Sequence, residues 1–148
     1  MLTISPIEKP DLEQLASLYK ELTGTETDLL LMDAMFKKIA DNPDYILIGA
    51  KDEEQRLLGS VMGIVCTDIV GACRPFMVLE NVIVDPESRR QGVGAQLVSR
   101  IERYAAERNC SYIMLVSLAK RKEAHAFYES MGYGLGVVQG FKKYLHTT

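Results

Sequence analysis

The chain has no Cys-x-x-Cys pair, no internal repeat or low-complexity tract, and no apolar run approaching the ~18 residues of a membrane span. Its three cysteines, Cys66, Cys73 and Cys110, cannot all pair internally, which argues for reduced thiols and a cytoplasmic protein. The opening residues, Met1-Leu2-Thr3-Ile4-Ser5-Pro6, lack the basic-then-apolar pattern of a signal peptide, so neither export nor membrane insertion is expected. Positive charge is scarce as well. A formal net charge of −3 argues against general nucleic-acid binding, and basic patches are confined to short runs such as Arg89-Arg90 and Lys120-Arg121-Lys122. The two histidines, His125 and His146, have neither metal-ligand spacing nor a carboxylate partner in sequence. They are expected to be surface residues, and no metal site is expected.

What is present is the composition of a globular domain: 47% apolar and 25% charged residues exclude a disordered chain. At 148 residues, one domain spanning 1–148 is expected, since a chain of this size buries roughly 70% of its unfolded surface. Residues 2–7 read as a strand. Leu12, Leu15, Leu18, Tyr19 and Leu22 then share one helical face that closes at Gly24. Leu30, Leu31, Met35 and Ile39 continue a second helix up to Asn42-Pro43. Residues 45–50 and 57–67 form a hairpin whose second strand carries Gly59 and Gly63, a sign of a bulge or close packing. Residues 76–84 are a strand broken only by Glu80 and Asn81, and residues 94–109 a helix. Residues 112–116 are another strand, 123–131 a short helix ended by Gly132, and the tail from 133 to 145 one or two strands. The order β-α-α-β-β-β-α-β-α-β mixes hairpins with crossovers. It specifies an α/β fold with a mixed central sheet flanked by about four helices.

The densest signal is Glu80-Asn81-Val82-Ile83-Val84-Asp85-Pro86-Glu87-Ser88-Arg89-Arg90-Gln91-Gly92-Val93-Gly94-Ala95. A buried strand, a polar turn and a glycine loop open a helix, so unpaired N–H groups and the helix dipole converge where a phosphate would bind. A Walker A loop is excluded because no lysine or hydroxyl follows the glycines. A dinucleotide fingerprint is excluded because its third glycine position holds Leu97.

The run Arg89-Arg90-Gln91-Gly92-Val93-Gly94 resembles the Gln/Arg-x-x-Gly-x-Gly/Ala signature of the GNAT (Gcn5-related N-acetyltransferase) superfamily. A second signature supports the resemblance: Ala124-His125-Ala126-Phe127-Tyr128-Glu129-Ser130-Met131-Gly132-Tyr133 is similar to the family's short helix ending in Phe-Tyr-Glu-x-x-Gly-Phe/Tyr. The likeness covers the C-terminal two-thirds well and the first 55 residues only by element order. It implies an acyl-CoA N-acyltransferase fold with acetyl-CoA as co-substrate. Residues Arg89, Arg90, Gln91, Gly92, Val93, Gly94 and Ala95 would hold the pyrophosphate, Val82, Ile83 and Val84 would pair with the pantetheine arm, and Phe127 would border the cofactor. Arg121 stands where the family often has asparagine, so that contact is not inherited; with its lysine neighbours it either approaches the coenzyme's phosphates or is a solvated charge. Homodimers are common in the family, and the acceptor is an amine.

Direct acetyl transfer needs a base for the amine, donors for the oxyanion and a proton for the thiolate. Glu80, set among apolar residues, is the candidate base, and partial desolvation is expected to raise its pKa. The competing reading is a structural pair with a nearby Arg or Lys. Asn81 points to the opposite face if the strand is regular, and a bulge would change that. Tyr128 is the candidate acid, although its spacing with Ala124, Phe127 and Met131 also places it on a buried stripe. Two functions remain: an N-acetyltransferase acting on a primary amine of a small molecule or peptide, and a non-catalytic acyl-CoA-binding or regulatory module on the same fold.

Overall fold

Apolar runs separated by short turns pair with their neighbours in chain order, so the sheet begins as a meander and ends in a crossover. The computed structural model describes residues 1–146. Its strands are β1 (Thr3–Pro6), β2 (Tyr45–Lys51), β3 (Leu57–Cys66), β4 (Phe76–Val84) and β5 (Ile113–Met114), in the spatial order β1-β2-β3-β4-β5. The first four are antiparallel; β5 is reached through a helix, as the crossover of a mixed sheet requires. The helices are α1 (Leu12–Thr23), α2 (Leu29–Ala40), α3 (Val93–Glu107) and α4 (Lys122–Ser130). None of the helices among the described residues is long and apolar enough to cross a membrane. The chain divides into two compact units, Met1–Ile113 and Met114–Thr148.

In the first unit each helix boundary has a local cause. Gly24 closes α1 at φ 75° and donates its N–H to the Lys20 carbonyl at 2.7 Å. Asp28 opens α2 by accepting from the Leu31 N–H at 3.1 Å. Asp11, buried just before α1, pairs with Lys51 of β2 at 2.7 Å and accepts from the Glu8 N–H at 2.8 Å, so the incoming chain is tied to the sheet.

The sheet has two buried faces. On one lie the α3 residues Leu97, Val98, Ile101 and Ala105, all buried, against Ile48, Val61, Met77 and Leu79. Gly59 and Gly63 are small because α3 presses on β3: a Cβ on Gly63 would stand 3.0 Å from Ile101 Cδ1, and one on Gly59 3.1 Å from Leu97 Cδ1. The other face holds Ile7, Leu12, Leu15, Leu18, Leu57 and Ile83, with Tyr19, Met32, Phe36 and Leu47 packed at its margin. No residue of α2 is fully buried, and Leu29, Leu31 and Met35 face solvent.

The β3–β4 ladder carries an irregularity. Met62 pairs with Glu80 but Ser60 with Ile83, so Asn81 and Val82 together stand opposite Val61. Asn81 sits at φ 54°, a left-handed conformation that asparagine tolerates better than most residues. The alternation of β4 therefore changes phase: Met77 and Leu79 face α3, whereas Ile83 joins the α1 cluster.

Two expectations fail in extent. β5 covers two residues rather than 112–116, and residues 133–146 contain no strand. A strand exists only through its partner, and this tail carries Gly134, Gly136 and Gly140, with Gly136 at φ 78°. In the second unit α4 ends as its sequence requires, with Gly132 at φ 93° donating to the Glu129 carbonyl at 3.0 Å.

Candidate active site

The β4–α3 junction is built to leave donors free. Beyond Val84, Asp85 accepts from the Glu87 N–H and closes a single 3-10 turn, Pro86–Ser88. Arg89 is extended, Arg90 takes φ 64°, and Gly92 takes φ 80° as the N-cap of α3. Because Gly92 has no side chain, nothing on it caps the helix, and no acidic residue lies in the first turn. The first backbone bond into the helix is the Gln96 N–H to the Gly92 carbonyl, 3.0 Å. The N–H groups of Val93, Gly94 and Ala95 thus precede any intrahelical acceptor. Arg89, Arg90, Gln91 and Gly92 are exposed, Gly94 and Ala95 half-buried, and Val93 is buried in the α3 core. Arg89 turns back to donate from Nε to the Val84 carbonyl at 3.2 Å, and Gln91 donates to the Glu87 carbonyl at 3.4 Å.

On β4, Val82 and Val84 are half-buried and Ile83 is buried. The ladder to β5 ends with that strand's second residue, Met114. Glu80 lies across from Met62, which lies across from Leu47, and Leu47 packs on the α1 cluster. Glu80 therefore faces the α1–α2 side of the sheet. It is exposed, contrary to the desolvation its apolar neighbours in sequence suggested. Among the described residues Glu80 forms no ion pair, so the competing reading of a structural pair with an Arg or Lys finds no partner there.

Asn81, half-buried, follows Glu80 at the bulge. Burial pushes the Tyr19 phenol of α1 up to about 12, with Asn81 acting the other way as the smaller influence. Sequence reasoning missed this raised phenol; its signal was a helical Tyr on the apolar stripe of α1 that packs on the sheet.

In the second unit Tyr128 is buried, with an edge-to-face contact to Phe127 (centroids 5.3 Å) and another to Tyr133 (6.3 Å). Burial raises its pKa and the Arg121 guanidinium partly offsets this, so the phenol keeps its proton at neutral pH. Arg121 is half-buried and precedes α4, while Lys120 and Lys122 are exposed. His125 is not a free surface side chain: its Nε2 lies 2.9 Å from the Leu118 carbonyl. Ser117 Oγ is buried without a partner among the described residues, a polar atom that a bound ligand would satisfy. No group of three His, Cys, Asp or Glu among the described residues is placed to hold a metal.

Comparisons place this geometry among known proteins. A 54-residue stretch is 33% identical to thialysine N-ε-acetyltransferase of Bos taurus, covering 36% of this chain and only 32% of that relative. A solved transcriptional regulator from Bacillus halodurans superposes with a TM-score of 0.88 at 24% identity, covering 98% of this chain and 100% of the other. Glucosamine-6-phosphate N-acetyltransferase of Arabidopsis thaliana gives 0.87 at 20% identity, covering 99% of each chain. At such identities the structural likeness is one of fold. The model of the acetyltransferase (GNAT) family matches residues 11–133, and the chain belongs to that family.

Proposed function

We propose that the 148 residues form one acetyltransferase domain that moves an acetyl group from acetyl-CoA directly to a primary amine of a small molecule or peptide. The observation that carries this reading is the β4–α3 junction, a glycine-started, acid-free helix N-terminus directly after the strand that bears Glu80. Residues 89–95 hold the diphosphate of the donor. The backbone of Val82, Ile83 and Val84, which β5 does not reach, pairs with the pantetheine amides.

The acceptor amine enters from the α1–α2 side. Glu80, directly or through a water, takes a proton from the ammonium, and the neutral nitrogen attacks the thioester carbonyl. The tetrahedral intermediate collapses with cleavage of the C–S bond, the Tyr128 hydroxyl delivers its proton to the departing thiolate, and the second proton of the attacking nitrogen is lost through solvent, from which Tyr128 regains its own as the amide forms. The products are the amide and coenzyme A; no acyl-enzyme forms. A raised phenol pKa suits Tyr128 to this task, since it stays protonated until a strong base asks for the proton.

Thiol release from acetyl-CoA, followed across a panel of primary amines and peptides, tests the reading. Release should depend on the amine, Glu80→Gln should lower kcat about 100-fold, and Tyr128→Phe should lower it by roughly 10- to 100-fold. The second reading, an acyl-CoA-binding regulatory module, draws on the fold likeness to a transcriptional regulator. It requires stabilisation by acetyl-CoA without turnover on any amine. Neither stabilisation nor turnover at millimolar acetyl-CoA sinks both.

A further inference from the structure

Residues that stand opposite each other in the β3–β4 ladder share a face of the sheet. Glu80 lies in one row with Met62, the next row on that face pairs Val78 with Ile64, and the next pairs Phe76 with Cys66. The intervening residues Gly63, Val65, Met77 and Leu79 are all buried on the α3 side. The five apolar residues that accompany Glu80 are only half-buried. At the far end the Phe76 ring stacks on half-exposed Tyr112, with centroids 5.2 Å apart and planes 12° from parallel. Half-buried apolar side chains are ordinary when scattered, but here they form one strip that starts at a carboxylate and runs about 13 Å along β4. Glu80 is the strip's only charged strand residue. The carboxylates of the α1–α2 connection are engaged elsewhere: Glu26 pairs with Lys20, and Asp28 accepts from the Leu31 N–H.

We propose that this strip sets acceptor specificity, and that the acceptor is a primary amine carried on an extended apolar chain that ends in a ring, not a polycation. The inference rests on the proposed acetyl transfer and names its substrate class. With the amine at Glu80, the carbon chain lies along Val78 and Ile64, and a terminal aryl group reaches the Phe76–Tyr112 stack. Each methylene laid on these side chains leaves water, and the stack offers an aromatic ring a further partner. A second ammonium at the same distance would rest on apolar side chains and lose hydration without gaining a counter-charge. Val78 and Tyr112 touch the substituent and leave the proton transfer to Glu80.

Thiol release from acetyl-CoA with matched primary amines tests the inference. Across n-alkylamines from propyl to heptyl, kcat/KM should rise about two- to fourfold per methylene. The wild type should favour n-heptylamine over its isostere hexamethylenediamine by about tenfold or more, and phenylbutylamine over both. Val78→Glu puts a second carboxylate on the strip and should reverse the preference between heptylamine and the diamine, with KM for acetyl-CoA within about twofold of wild type. Tyr112→Ala should lower kcat/KM for phenylbutylamine about tenfold more than for propylamine. A flat alkyl series, a wild-type preference for the diamine, or variants that lower every amine by the same factor overturns the inference and leaves the transferase reading standing. Absence of turnover by the wild-type protein on every amine and peptide overturns the transferase reading and this inference together.

Discussion

Gly92 gives the sharpest test of how the proposed donor loop is held. It takes φ 80°, and a Cβ added there would meet nothing within 4 Å, so Gly92→Ala brings no clash and only conformational strain. Holding an L-residue in the left-handed region costs roughly 1–2 kcal/mol, and stiffening the unfolded chain returns about half a kcal/mol. The net expectation is a loss of about 1 kcal/mol, or a fall in Tm of roughly 2–4 °C for a domain of this size. The free loop has a second option, because it is exposed and can relax out of the left-handed turn. The α3 N–H groups then lose their aim, and the penalty moves from folding to binding. Scanning calorimetry without ligand and isothermal titration with coenzyme A separate the two, and their penalties should sum to about 1 kcal/mol however they divide. Gly92→Asn should recover part of the loss, since asparagine tolerates this conformation. If Gly92→Ala matches the wild type in both measurements, the left-handed turn is not what orients the helix end.

Two further expectations concern the sheet and its helix. Gly59→Ala would put a Cβ 2.8 Å from the Ile83 carbonyl oxygen, and backbone gives way poorly, so urea denaturation should show a loss of about 1–3 kcal/mol. Gly49→Ala should cost less although its contacts are closer, 2.6 Å to Ile7 Cδ1 and Leu57 Cδ1, because those are side-chain tips; the reverse ranking would refute the argument. Tyr19, raised from 10.0 to about 12, releases its proton later when folded than when unfolded. The unfolded state therefore binds fewer protons between those values, and stability falls as pH rises by up to ~1.4 kcal/mol per unit. Below pH 10 this contribution is fully present. Denaturation in base should be steeper for the wild type than for Tyr19→Phe, and equal slopes would show that the phenol is not buried as described.

The elements that were legible in sequence are those whose cause is local. α1 announces itself through Leu12, Leu15 and Leu18 and its end through Gly24, because side-chain period and a left-handed cap are properties of the segment itself. The span of β4 is likewise set by its apolar run, and the β4–α3 loop by glycines that a strand-to-helix turn needs. What failed depended on partners. The run Tyr112-Ile113-Met114-Leu115-Val116 has the composition of a strand, but only two residues are in a ladder, and the glycine-rich tail has none. Glu80 was judged from its neighbours in sequence, which are buried on a face it does not share. Its exposure is decided by what covers that face in three dimensions, and no local pattern records that. Asn81 shows the same limit from the other side: the phase of a strand is counted residue by residue, and one bulge reverses the count for every position after it.

That reversal explains why the polar pair stands where it does. A strand between two helical layers must bury residues on both faces, and β4 does so in sequence rather than in alternation: Met77 and Leu79 belong to the α3 core and Ile83 to the α1 core. The changeover forfeits a one-to-one pairing for Val61 and leaves two side chains, Glu80 and Asn81, at the point where neither core claims the strand. Apolar residues there would leave greasy surface unpaired, and an unpartnered amide would carry a desolvation cost of about 1–3 kcal/mol. Immediately downstream the same strand reaches Gly59, where Ile83, Leu97 and Val93 converge on a missing side chain. The Glu80 carboxylate and the first turn of α3 are thus set by a single strand, one before the phase change and one after it.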